Sequence, residues 1–338
     1  MKITVCIPCR NEVDYIQECV DALYQCDLPE GTSLNVNVVD GMSNDGTREK
    51  IAELQKTYPT LNLVDNEKQL TPYAFNLGIH ASGKVDFVQI VGARHILSKN
   101  YLIRCIQKLQ AEPDTWCVGG KIINEYINRK GEIIARAMGT TFGMGLGNFR
   151  TLERSGYTDT VTSPMYPYHV FEEIGFFDEA LVRNQDDDFN YRVTKEDKKI
   201  FFDHEISLKY YVRGHFKGLW RQFFQYGYWK VFVNRKHKAV TTLRQLVPAL
   251  FILYLVGFPF LNFAGPFLFN LGFIPLFLYW MMMCYFSAKH GRSIGESLQL
   301  ILTYLILHIS YGLGYLKGIL EFLILRKEPN KKQARLSR

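Results

Sequence analysis

The first hundred residues switch repeatedly between two hydrophobic periods. "KITVCIP" is an apolar run rich in β-branched residues, of strand length. "NEVDYIQECVDALYQC" then sets Ile16, Val20 and Leu23 on one helical face, with Asn11 placed to cap the helix. "LNVNVVD" alternates like a strand and "GTREKIAELQKTY" returns to the helical period. "LNLVD" predicts a third strand, "PYAFNLGIHAS" a helix opened by Pro72, and "VDFVQIVG" a fourth strand. Strands alternating with helices at this spacing predict a mostly parallel α/β sheet with helices on both faces. Such sheets bind ligands beyond the C-terminal ends of their strands. Those ends are Pro8 to Glu12, Asp40 to Asp45, Asn66, and Gly92 to His95.

A mixed region of strands and helices follows, from about residue 100 to 240. No linker rich in Gly, Ser or Pro separates it from the first part, so residues 1–240 read as one continuous domain. The pattern then changes. Gln245 to Ala288 is a run of 44 residues without a charge, long enough for two membrane helices broken near "NFAGP" (Asn262 to Pro266). A second uncharged stretch covers the 20 residues Ser297 to Leu316. The expected organisation is therefore 1–240, a hydrophobic membrane-associated segment 241–325, and a basic tail 326–338. The alternative is the helical core of a soluble protein. The stretch after Leu298 carries His308, Lys317, Glu321 and three glycines, which leaves open whether it spans, re-enters or lies at the interface.

Charge sharpens this picture. The chain carries a formal +7, yet Ile206 to Gln245 has nine Lys/Arg and no acid, and "RKEPNKKQARLSR" has six basic residues and one acid. The remainder is net acidic. Basic belts beside apolar segments predict anionic membrane lipids as partners and retention on the cytoplasmic side. Three full spans would place the two belts on opposite sides, against that tendency. No nucleic-acid motif accompanies the charge, so nucleic acid is not an expected partner. The seven cysteines are scattered and fit a reducing compartment. Cys6-x-x-Cys9 has no second pair to complete a zinc site and reads as structural rather than redox-active. The N-terminus opens directly on a strand, and no signal peptide is visible.

Three places carry chemistry. In "VVDGMSNDGT", Asp40 leaves its strand as an exposed carboxylate on a turn made by Gly41, able to accept hydrogen bonds from a base or ribose, while Asp45 can cap the next helix. No GxGxxG or GxxxxGK[ST] is present, which excludes a dinucleotide fingerprint and a phosphate loop. "VGARHILSKNYL" follows the fourth strand. "RNQDDDFNYR" sets Asp186, Asp187 and Asp188 between Arg183 and Arg192, and by itself permits a solvated loop, a metal site or a proton acceptor.

Five segments, "IPCRNE", "VVDGMSNDGT", "NLGIHASG", "GFFDEALVRNQDDDFNYRV" and "RQFFQYGYWK", resemble in order and spacing the family 2 glycosyltransferases, and within them the bacterial exopolysaccharide and succinoglycan-type enzymes. "LHISYGLGYLKG" is similar to that subgroup's C-terminal helix, so the resemblance runs over roughly residues 3 to 320. It implies a GT-A fold: a Rossmann-like, mostly parallel sheet with flanking helices, here followed by hydrophobic membrane helices. It also implies a nucleotide-diphosphate sugar donor, inversion at the anomeric carbon, a lipid-linked or saccharide acceptor, and a catalytic domain facing the cytoplasm at the inner membrane. Pro8, Arg10 and Glu12 would line the nucleotide, Asp40 would meet the base or ribose, and Asn66 would lie beside them. The family's metal motif, Asp-x-Asp or Asp-x-His, becomes Ala93-Arg94-His95. His95 falls where a ligand for Mg²⁺ or Mn²⁺ would be, but the first carboxylate is missing, which puts strong divalent binding in doubt. Arg94 is then either a fixed guanidinium facing the diphosphate or a solvated surface residue. Aligning Arg192 with the family's Glu-Asp-x-Asp-Leu-x-x-Arg makes Asp186 the general base and Asp188 a partner of Arg192 at i, i+4. Arg221 and Gln222 would hold acceptor or diphosphate, or else sit on an interface helix. The competing function is a catalytically silent relative that binds nucleotide-sugar or scaffolds polysaccharide assembly. A sugar nucleotidyltransferase would want a Gly-rich phosphate loop near the N-terminus, and there is none.

Overall fold

The computed structural model describes residues 1–145, 149–240 and 243–329. Along the chain run β1 (Lys2–Cys9), α1 (Ile16–Tyr24), β2 (Ser33–Asp40), α2 (Thr47–Thr57), β3 (Leu61–Asp65), α3 (Thr71–Ala81), β4 (Phe87–Ile90) and β5 (His95–Leu97). There follow α4 (Tyr101–Ala111), β6 (Thr115–Glu125), α5 (Arg129–Met138), α6 (Thr141–Met144), β7 (Gly156–Thr158), β8 (Thr162–Pro167), α7 (His169–Ile174), α8 (Gln185–Lys195) and β9 (Lys199–Tyr211). The last helices are α9 (Phe216–His237), α10 (Val247–Gly257), α11 (Pro266–His290) and α12 (Ile294–Gly318). The chain divides into two compact units: residues 1–123 with 152–211, and residues 124–151 with 212–338.

The strands form one sheet in the order β3-β2-β1-β4-β8-β6-β9-β5, with β7 beside β9. β1 to β4 are mutually parallel, as the alternation predicts. β8 runs antiparallel to β4, and β5 antiparallel to β9. Val5, Cys6 and Ile7 are successive residues of β1, and all three are inaccessible to solvent. Consecutive burial means that both faces of the sheet are covered, the usual state of parallel strands. On one face α3 comes very close. A Cβ on Gly78 would stand 2.9 Å from Val39 Cγ2 and 3.0 Å from Cys6 Sγ, so only glycine permits the approach. Asn37 Nδ2 donates to the Gly78 carbonyl at 2.7 Å and locks it.

The parallel strands end at one level. Cys9 is in register with Asp40, the Gly41 N–H donates to Cys9 O at 2.8 Å, and the Asn66 N–H donates to Asp40 O at 2.8 Å. The predicted ends of β1, β2 and β3 are therefore neighbours. Cys6 and Cys9 are free and buried, and burial pushes both thiols upward, which fits the structural reading of that pair.

In the second unit three helical segments are long and apolar enough to cross a membrane: Leu243–Phe263, Pro266–His290 and Ile294–Ile324. This points to membrane association. The uncharged run breaks at Gly265, whose φ of 119° lies outside the range other residues adopt comfortably, within the predicted "NFAGP". The polar groups of the third stretch find partners within the unit. His308 bonds the Tyr279 hydroxyl at 2.9 Å and Phe142 O at 2.8 Å, and Glu321 accepts from the Tyr228 hydroxyl at 2.5 Å. Glycines seat α12 on α9: a Cβ on Gly314 would run into Phe224 O, and one on Gly318 would lie 2.7 Å from Tyr228 O. At the start of α12, buried Glu296 accepts from Arg129 at 2.5 Å and Arg136 at 2.8 Å, which ties α5 to α12.

Candidate functional site at the strand ends

Two loops, one after β1 and one after β2, are stitched together. The Asn11 N–H donates to Ser43 Oγ at 2.8 Å, the Glu12 N–H to Thr47 Oγ1 at 2.9 Å, and the Asn44 N–H to Asn11 Oδ1 at 3.1 Å. Asn11, with φ of 53°, is thus a loop brace and not the cap of α1, whose N-cap position is Tyr15. Asp45 accepts from the Thr47 N–H at 3.1 Å and the Val13 N–H at 3.3 Å, although the N-cap position itself is Gly46. Burial works against the Asp45 charge. The hydrogen bonds from Thr47 and Val13 outweigh it and hold the carboxyl below its usual range.

Asp40 differs from the expected exposed carboxylate: it is 0% exposed. The Ser43 N–H donates to Oδ2 at 2.9 Å, the Ser43 hydroxyl bonds Oδ1, and Arg48 Nη1 lies 2.8 Å from Oδ2 and 2.8 Å from Asp65 Oδ1. The turn at Gly41 folds Ser43 back over the carboxylate, and the first turn of α2 supplies Arg48. Asn66 is also buried. Its amide donates to Leu70 O at 2.9 Å and its carbonyl accepts from the Gln69 N–H at 3.2 Å, shaping the turn into α3.

Pro8 lies at the end of β1, and Arg10 follows it. The Arg10 stem lies across Gly41, whose added Cβ would stand 3.2 Å from Arg10 Cδ. Arg94 is not a solvated surface residue. Its Nε donates to Glu12 Oε2 at 2.7 Å, and its guanidinium carbon sits 4.5 Å from the centre of the Tyr15 ring. Burial opposes the charge, and Glu12 more than offsets it, so the guanidinium stays above its ordinary pKa. His95 opens β5. Its Nδ1 accepts from the Gly92 N–H at 3.3 Å and pairs with Ser163 Oγ at 2.7 Å, while Tyr210 meets the ring edge-on at 5.3 Å. Among the described residues no three His, Cys, Asp or Glu side chains converge as a metal site would require. At the three motif positions Ala93 offers no donor atom and Arg94 is itself a cation, which leaves only the His95 imidazole, a poorer ligand for a hard divalent cation than a carboxylate oxygen.

The acidic triplet forms the first turn of α8, after Asn184 in a left-handed conformation (φ 60°). Three successive acids suit a helix N-terminus, where the dipole favours negative charge. The three point to different environments. Asp186 is exposed, Asp187 is half-buried and accepts from Asn184 Nδ2 at 2.7 Å, and Asp188 is fully buried and bonded to Arg192 Nε at 3.1 Å. Arg192 also donates to the carbonyls of Ile174 at 2.5 Å, Gly175 at 3.2 Å and Phe176 at 2.8 Å. Asp188 and Arg192 thus pair at i, i+4 as the spacing predicts, and the same guanidinium braces the turn after α7. Tyr166, on β8, donates to Asn190 Oδ1 at 3.0 Å, and Phe171, Phe177 and Tyr166 surround Phe189, which fixes α8 against β8 and α7. Arg221 and Gln222 belong to the other unit, on α9, where Gln222 donates to the Tyr226 hydroxyl at 2.8 Å. Periodicity carried no signal for Tyr15, Ser43, Arg48 or Ser163, because each acts on a residue distant in sequence or through a turn.

The comparisons with known proteins agree with this architecture. Residues 4–175 match the family model "Glycosyl transferase family 2". The chain belongs to that family. As a family 2 glycosyltransferase it is an enzyme that uses a nucleotide-sugar, and its sheet is of the GT-A type. It is 32% identical over 242 residues to dolichyl N-acetyl-alpha-D-glucosaminyl phosphate 3-beta-D-2,3-diacetamido-2,3-dideoxy-beta-D-glucuronosyltransferase of Methanococcus voltae, covering 69% of this chain and 74% of the relative. It is 28% identical over 248 residues to the succinoglycan biosynthesis protein ExoA of Rhizobium meliloti, covering 72% and 73%. Among solved structures, the mannosyltransferase PcManGT of Pyrobaculum calidifontis, in complex with GDP-Man and Mn²⁺, superposes with a TM-score of 0.58 at 16% identity, covering 94% of this chain and 87% of that one. That likeness establishes the shared fold.

Proposed function

We propose that this family 2 glycosyltransferase moves a sugar, with inversion, from a nucleotide-diphosphate sugar to a lipid-linked acceptor in the assembly of a bacterial exopolysaccharide or capsule. Residues 1–240 act as the catalytic part, residues 241–325 as the membrane anchor, and 326–338 as a basic tail, of which 330–338 lie outside the described residues. The donor occupies the strand ends, with Pro8, Arg10, Glu12, Asp40, Asn66 and Arg94 around it. Asp186 takes the proton from the acceptor hydroxyl as that oxygen attacks the anomeric carbon. The bond from the anomeric carbon to the diphosphate oxygen breaks, and the nucleoside diphosphate leaves with the electron pair. Such a base must lie within hydrogen-bond reach of the acceptor, on the face of the sugar opposite the leaving group. The catalytic part faces the cytoplasm at the inner membrane, where the basic belt meets anionic lipid.

The observation that carries this reading is the division of labour in the triplet. Asp188 is turned inward against Arg192, Asp187 is half-buried beside Asn184, and Asp186 is exposed to solvent at the first turn of α8. The relatives support the substrate class, since one is named for succinoglycan biosynthesis and another for transfer to a dolichyl-phosphate sugar. The test is an assay of membranes containing the protein, with a panel of labelled nucleotide-sugars and a lipid extract as acceptor. Label should enter the lipid fraction with one donor, and the new linkage should be inverted. Nucleotide binding without transfer from any donor would leave only the binding or scaffolding role, and a retained anomeric configuration would remove Asp186 from the role of base.

A further inference from the structure

The carboxylates at the strand ends are already committed to protein partners. Asp40 takes Ser43 and Arg48, Asp65 takes Arg48, Asp45 takes Thr47 and Val13, and Glu12 takes Arg94. His95 directs Nδ1 to Gly92 and Ser163. Two guanidinium groups stand among them. Arg94 is held in place from below by Tyr15 and through Nε by Glu12, and its two Nη groups make no hydrogen bond among the described residues. Arg10 makes no hydrogen bond or ion pair among the described residues, and its Nε is buried without a partner. A buried charged donor without an acceptor is destabilising, so its presence calls for an anion.

We propose that Arg10 and Arg94 together bind the diphosphate of the donor, doing the work that a divalent cation would otherwise do. This rests on the placement of the donor at the strand ends. Guanidinium groups present paired N–H donors that match phosphate oxygens, and they keep their charge at every physiological pH. Arg94 needs no rearrangement to act, because Glu12 and Tyr15 already hold it. Fixed donors aimed at the leaving group stabilise the charge that develops there as the glycosidic bond to phosphate breaks. The Glu12 carboxylate restrains Arg94 through Nε alone and leaves the fork of Nη groups for the ligand.

The experiment is nucleotide binding by the full-length protein in detergent, using ADP, CDP, GDP and UDP with their monophosphates, each with EDTA and with Mn²⁺. One diphosphate should bind with an affinity that changes less than about twofold between EDTA and Mn²⁺. Arg10→Met and Arg94→Lys should each weaken the diphosphate by about 10- to 100-fold, the scale of a lost hydrogen bond to a charged group, and weaken the monophosphate much less. Folding separates the two variants. Arg10→Met removes a donor that lacks a partner, so its melting temperature should hold or rise, whereas Arg94→Lys keeps the charge facing Glu12. A diphosphate that needs Mn²⁺ and binds both variants like the parent protein would overturn the proposal and leave the donor site standing. If no diphosphate binds under either condition, the placement of the donor fails, and this proposal with it.

Discussion

Arg192 Nε donates to the buried carboxylate of Asp188 at 3.1 Å, one turn away on α8, and the rest of the guanidinium closes the carbonyls of Ile174, Gly175 and Phe176. One side chain therefore joins the helix that carries Asp186 to the loop that follows α7. The acid two residues after the proposed base is an anchor, and the position of the base depends on it.

Arg192→Ala should destabilise the protein by about 3–5 kcal/mol, because it strands the Asp188 charge in the interior and opens three carbonyls. Arg192→Lys should recover only part of this, since an ammonium cannot span the same fork of acceptors. Urea or thermal unfolding in detergent reads both. Near-parental stability in Arg192→Ala would show that the clamp contributes nothing.

Asp186→Asn should lower transfer by about 10²- to 10⁴-fold, the usual loss on removing a general base. Binding of the nucleoside diphosphate and the melting temperature should stay close to those of the parent, because this residue is exposed. A variant that kept more than about a tenth of the rate would remove Asp186 from the role.

Gly314→Val should prevent α9 from seating on α12, because the new Cβ would overlap the Phe224 carbonyl. The expected result is loss of folded protein from the membrane fraction. Gly295→Ala is the counterpart. It lies in the first turn of α12 with its nearest non-neighbour atom at 4.0 Å, so alanine should be tolerated and should add up to about 1 kcal/mol of helix stability. Fluorescence-detected size-exclusion chromatography of the two variants checks both.

Native protein should resist thiol alkylation at Cys6, Cys9, Cys19, Cys26, Cys105 and Cys117. All six are buried, and burial raises each thiol, to about 12 for Cys19 and Cys26. Mass spectrometry after iodoacetamide should find these six modified only once the protein is unfolded. Rapid native labelling at Cys6 or Cys9 would revive a redox role for that pair.

The strand–helix alternation of residues 2–90 is recovered almost element by element from periodicity, because a buried parallel strand and an amphipathic helix each write a local pattern. The break at Gly265 was legible for a similar reason, since Gly and Pro punctuate an otherwise uniform apolar run. Asp40 was not legible in the same way. Its position at a strand end was, but its burial depends on Ser43 folding back and on Arg48 one turn into the next helix. Asn11 likewise has the composition of a cap, yet the loop after β2 offers it stronger partners.

The sequence by itself determined the alternating architecture, the apolar C-terminal segments and the family. All of these follow from short-range periodicity or from motifs that keep their spacing along the chain. The tertiary structure alone decided how the charged side chains are held: that Asp188 is inward and Asp186 outward, that Arg94 is held by Glu12 and Tyr15, and that Arg10 Nε is buried without a partner among the described residues. Those outcomes depend on contacts between segments far apart in the chain, where burial sets the strength of each charge and no local pattern records the partner.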